Sequence, residues 1–145
     1  MDSLNKKSVL IIDSDDNVLS ALSSGLKSRS MLPITAKDGY DGYNRALKEK
    51  PDIILLEIIL PTLDGFRITK LLKFDERYMD TYIILMSNNI ENIDADKISK
   101  SGANGYLGKP FKFSDLIKKI NEVTTKNEWK YNYDMLYIFD GCFFW

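Results

Sequence analysis

The chain has no histidine among its 145 residues. That excludes a Ser-His-Asp triad, a Cys-His pair, histidine zinc ligands and any phosphohistidine carried by the chain itself. It has a single cysteine, Cys142, so no internal disulfide can form. This usage fits a reducing compartment, and a cytoplasmic location is expected. An excess of charge of either sign is also missing, with 20 lysines and arginines against 21 acids. The formal net charge is −1, which gives no electrostatic case for binding nucleic acid or an anionic membrane. No apolar run approaches the roughly 20 residues of a membrane span. The opening MDSLNKKSVLIID has neither the apolar core nor the small-residue cleavage site of a signal peptide. The length is that of one domain, able to bury roughly two thirds of its unfolded surface.

What is present is an alternation of two patterns. Short apolar, β-branched runs read as strands: VLIID (9–13), LPITA (32–36), DIILLEI (52–58), YIILMS (82–87) and one within GYLGKPF (105–111). The third is apolar on both faces, as in a parallel sheet covered by helices. Between them lie segments of helical spacing. Val18, Leu19, Leu22 and Leu26 place a helix over about 16–29, with DSDDN (13–17) supplying caps. Residues 37–50 give a turn and a helix with Tyr43, Ala46 and Leu47 inward, and Phe66 to Phe74 a third helix. The polar stretch 88–102 holds a short helix closed by Gly102, and 114–123 an amphipathic helix capped by Ser114. The fold expected is α/β: a doubly wound, five-stranded parallel sheet in the flavodoxin-like order 2-1-3-4-5, with helices on both faces.

In such a sheet the functional crevice lies at the carboxyl ends of the strands. Here those ends carry Asp13, Glu57, Ser87 and Lys109. Two carboxylates facing one crevice repel unless a cation lies between them. A hard ion such as Mg²⁺ prefers oxygen ligands of this kind. Lys109 adds a fixed positive charge suited to a phosphoryl oxygen or to a carboxylate directly, and Ser87 a hydroxyl. Together they form the inventory of a phosphoryl-transfer site. The plainer alternative is a buried lysine–carboxylate pair with a capping serine and an N-capping aspartate. A nucleotide or flavin enzyme on the same fold would need a glycine- or hydroxyl-rich phosphate loop. The loop here is DSDDN, whose three acids repel phosphate.

VLIIDSDDNVLSAL, PDIILLEIILPTLDGF, IILMS and GANGYLGKPF resemble the receiver domains of bacterial two-component response regulators, over about residues 7–124. The resemblance implies a domain that takes phosphate from a partner kinase's phosphohistidine onto a strand-end aspartate. It assigns Asp13 to the metal-binding acid pair, the backbone carbonyl of Ile59 to a third metal ligand, Ser87 and Tyr106 to the switch pair, and Lys109 to the motif's lysine. It further implies a cis peptide between Lys109 and Pro110. A histidine kinase or another signalling protein is the implied partner, and a homodimer is an option. A DNA-binding domain is not expected after residue 124.

Two positions depart from the pattern. The phosphoacceptor position holds Glu57, and the second acid of the pair is replaced by Ser14. Glutamate is one methylene longer, which moves its carboxylate by about the 1.5 Å of a C–C bond. A misplacement of about 1 Å can cost on the order of 100-fold in a positioned reaction. The longer arm also reaches toward Lys109, into the space of a phosphoryl group. Asp13, Glu57 and Lys109 sum to −1 where the family pattern sums to −2, so Ser14 should weaken Mg²⁺ binding; Asp15 could compensate, though Asp15 and Asp16 both lie where a helix cap is needed. The expectation is a receiver-like interaction module, not an enzyme, that is not phosphorylated in the usual way. The alternative is a working phosphoacceptor that uses Mg²⁺.

The remainder departs from the family. Residues 1–127 form the expected receiver domain, and 128–145, EWKYNYDMLYIFDGCFFW, an aromatic extension with eight of the chain's 17 aromatic residues. It reads either as extra core or as a partner or self-association surface, or as the beginning of a further domain.

Overall fold

The computed structural model describes residues 6–88 and 95–125. Within them the order is β1 (Ser8–Ile12), α1 (Asp16–Ser28), β2 (Leu32–Ala36), α2 (Gly39–Glu49), β3 (Ile53–Glu57), α3 (Gly65–Lys73), β4 (Tyr82–Ser87), α4 (Ala95–Ser101) and β5 (Gly105–Gly108), followed by a helix over 113–125, α5. The extension 128–145 lies outside the described residues.

All strand pairs are parallel and the order is β2-β1-β3-β4-β5, as expected. Between their ends the three central strands are apolar, because each face is covered. On one face Val9, Ile11, Leu55 and Met86 pack with Leu19, Leu22 and Leu26 of α1 and with Leu116, Ile117 and Ile120 of α5. On the other, Leu10, Ile12, Leu56 and Leu85 pack with Ala46 of α2 and with Ile68 and Leu72 of α3. Alternate residues of one strand thus feed opposite cores. The outer strand β2 is less buried, and Pro33 stands in it opposite Val9.

Local chemistry sets the helix starts. Asp15, Asp38 and Asp64 cap α1, α2 and α3, each accepting from a backbone N–H of the first turn. One expected cap is corrected. α5 begins at residue 113, not after Ser114. The Asp115 carboxylate accepts the Lys112 amide at 3.1 Å, the acidic half of a capping box, and Asp115 N donates to the Lys112 backbone O at 2.9 Å in a turn-type bond, which together accompany the earlier start. Gly102 closes α4 with φ +88°, where a side chain would be strained.

The eight residues between α3 and β4 are tied down at several points. Tyr78 is buried and its hydroxyl donates to Leu47 O at 3.0 Å. The Lys73 ammonium donates to Met79 O and Thr81 O.

Candidate functional site

Each site residue sits where a strand's hydrogen bonding runs out. Asp13 follows β1 and donates its amide to Ala36 O of β2 at 3.1 Å. Glu57 ends β3, and Ser87 ends β4. Lys109 follows β5 and donates its amide to Ser87 O at 2.8 Å, which swings its side chain over the sheet's carboxyl edge. The peptide between Lys109 and Pro110 is cis, as the resemblance implied.

The side chains converge. Lys109 Nζ lies 2.5 Å from Asp13 Oδ2 and 3.6 Å from Glu57 Oε1. Asp13 is 2 % exposed, Glu57 7 % and the Lys109 side chain 11 %, so the ion triad is nearly removed from water. The remaining carboxylate oxygens are also engaged. Asp13 Oδ1 accepts from Asp15 N at 2.9 Å, and Glu57 Oε2 accepts from Ile58 N at 3.1 Å. These two backbone donors were not legible in the sequence, since every residue carries the same N–H and only the folded turn aims it.

Burial pushes the Glu57 carboxyl above its ordinary range. The Lys109 ammonium pulls against that, the neighbouring Asp13 carboxylate adds to it, and the Ile58 amide again opposes it. The desolvation of Glu57 therefore outweighs the single nearby cation.

The other expected positions fall as follows. Ser14 is exposed beside Asp13. Asp15 is turned to its capping role, accepting from Asn17 N at 2.9 Å, and Asp16 pairs with Lys37 at 2.7 Å. Ile59 follows two residues after Glu57 with its side chain exposed. Among the described residues no group of three or more His, Cys, Asp or Glu side chains is placed to hold a metal. A divalent ion at Asp13 and Glu57 would share their oxygens with the lysine ammonium and two backbone amides.

Tyr106 of β5 packs against the α2–α3 side of the sheet, and its hydroxyl is buried with no hydrogen-bond partner among the described residues. Burial, with the negative Glu57 second, raises its ionisation range. An unpartnered buried hydroxyl costs about 1–3 kcal/mol. Tyr106→Phe is therefore expected to unfold at an equal or higher urea concentration than the native chain, with a gain of about 1 kcal/mol. A loss of stability would mean that the hydroxyl is hydrogen-bonded in solution.

The sequence profile of the response regulator receiver domain matches residues 9–121. Protein PilH of Pseudomonas aeruginosa is 31% identical over 115 residues, covering 79% of this chain and 95% of that protein. The alkaline phosphatase synthesis transcriptional regulatory protein PhoP of Bacillus subtilis is 29% identical over 125 residues, 86% of this chain but 51% of that protein. The chain thus spans about half the length of PhoP and nearly all of PilH. Among solved structures, the chemotaxis response regulator CheY4 of Vibrio cholerae superposes with a TM-score of 0.77 at 25% identity, covering 82% of this chain and 99% of CheY4. The receiver domain of sensor histidine kinase PA1611 from Pseudomonas aeruginosa, solved with a magnesium ion coordinated in its active site cleft, gives 0.74 at 25% identity, covering 81% of this chain and 96% of that one.

Proposed function

We infer the function from one premise: the chain belongs to the response regulator receiver domain family. It is a signalling module of the two-component type. We propose that it acts through protein–protein contacts and does not take up phosphate in the usual way. The supporting observation is the position of Lys109 Nζ between Asp13 and Glu57, at 2.5 and 3.6 Å. The lysine already supplies the charge that a bound cation would supply, and the longer glutamate arm occupies the space beside it. On this reading Mg²⁺ binds weakly, Ser14 contributing no charge, and the chain is not an enzyme. A histidine kinase or another signalling protein is its partner, and pairing with a second copy is compatible with this role.

A second reading keeps phosphate in play. Asp13 and Lys109 are paired in one crevice and Ser87 ends the strand beside it, so a phosphoacceptor that uses Mg²⁺ needs only a carboxylate at a different depth.

Intact mass after incubation with a small acyl-phosphate donor and Mg²⁺ separates the two, with Glu57→Asp run alongside. No adduct on the native chain and one phosphoryl group on the variant is the expected result, and it places the block at Glu57. A phosphoryl adduct on the native chain would overturn the proposal. Failure of both would move the block to Ser14 or to the segment beyond residue 127.

A further inference from the structure

Away from the carboxyl edge, the opposite end of the molecule carries a surface that the site does not explain. The outward stripe of α3 runs Arg67, Lys70, Leu71, Phe74. Leu71 is 43% exposed, Phe74 78% and Met79, in the following loop, 50%. α3 carries three basic residues and no acid. The tie points on Tyr78 and Lys73 hold the loop in place, so the apolar shoulder is part of the rigid body. Scattered exposed apolar residues are ordinary, but three within nine residues of chain beside a groove are not.

The groove, of about 240 Å³, is lined by Lys7, Lys50, Arg77, Tyr78, Tyr82 and also Thr124. Two acids lie on it: Asp52, engaged by the Ser8 amide and hydroxyl, and Asp80. Thr124 is next to the last described residue. The chain therefore leaves α5 in the wall of this groove with residues 126–145 still to follow. Of these, 128–145 hold three acids, one lysine, eight aromatics, both tryptophans and the only cysteine. An acidic, aromatic segment starts beside a basic, apolar surface.

We propose that the surface formed by this groove and the Leu71, Phe74 and Met79 shoulder is the docking site for the chain's own segment 128–145. Three observations carry it: the exit point at Thr124, the length of chain that follows, and the complementary charge and apolar character. Aromatic residues bury large area at low entropic cost in such a contact. The assignment is independent of phosphate chemistry at Glu57.

Cys142 provides the test, because it is the only native thiol. In the full chain, Phe74→Cys, Met79→Cys and Tyr40→Cys are each treated with a short bis-maleimide at low protein concentration. Tyr40 is 66% exposed at the start of α2, at the other end of the fold. All three positions are exposed enough for the variants to fold. Docking raises the local thiol concentration, so linkage within one chain is expected about tenfold faster at 74 or 79 than at 40. Equal rates at all three positions would overturn the proposal. Linkage between two chains only would overturn it in favour of a second copy as the occupant. As a second readout, Trp129 and Trp145 report on the segment alone. Their emission should shift to longer wavelength in Phe74→Asp and remain unchanged in Tyr40→Asp; no shift in Phe74→Asp counts against docking.

Discussion

Lys109→Met is expected to destabilise the protein by about 3–5 kcal/mol near neutral pH, the cost of leaving a buried charge without its partner. The magnitude follows from burial. The lysine side chain is 11% exposed and its two carboxylate partners 3% and 9%, so water cannot replace it. Asp13 and Glu57 would then keep the Asp15 and Ile58 amides but lose the lysine's positive charge. Their repulsion also makes the loss depend on pH. Glu57 already titrates above its ordinary range, chiefly through burial, while Lys109 holds it down. Removing the lysine raises it further. A group whose folded pKa is raised contributes stability that is present below its unfolded pKa and is lost as pH rises through the folded one. The variant should therefore be closest to native stability at about pH 5 and fall away toward pH 7. Urea unfolding of both proteins at the two pH values measures this. An equal loss at both would show that packing of the lysine stem, not charge, is what the site requires.

The second large effect is at Gly65. A Cβ there would lie 2.5 Å from Glu57 O and 2.8 Å from Ile58 Cα. Both are backbone atoms of the strand end that carries Glu57, and neither can rotate away. Gly65→Ala should cost about 1–3 kcal/mol through overpacking, and it should move the Glu57 carboxylate relative to Lys109. Gly25→Ala is the control. Its Cβ would find its nearest neighbours in the ring of Phe113, at 2.6 Å. That ring can move, and alanine gains up to about 1 kcal/mol over glycine inside a helix. Thermal unfolding should rank Gly25→Ala well above Gly65→Ala. The reverse order would mean that α3 does not sit on the strand end as closely as described.

The sheet was legible because burial on both faces leaves a plain signature, runs such as IILL with no polar interruption. The strand-end residues were legible because the order of strands forces their carboxyl ends together. The details that escaped are those fixed by single contacts. Tyr78 looks like one aromatic in a polar stretch, DERYMDT, yet it is 6% exposed and pins the loop to α2. No periodicity marks it, since the segment is neither helix nor strand. Asp115 outcompetes Ser114 because its carboxylate reaches back to Lys112, a choice that spacing alone does not decide. Asn104 offers its side-chain oxygen to Ile83 N at 2.8 Å while its own amide donates to Ile83 O, standing in for a strand residue. At the crevice, the types of the charged groups could be read from the sequence. Their saturation by backbone amides could not.

The outer strand has one further consequence. Leu32 N donates inward to Lys7 O, and successive amides of a strand alternate sides, so the next position faces outward. That position is Pro33, which has no N–H to give. A strand arriving from another molecule finds a missing rung at the second position of a five-residue edge. Lateral growth of the sheet into fibrils is discouraged at this border, and a crowded solution of the protein should be protected there from that route to insolubility.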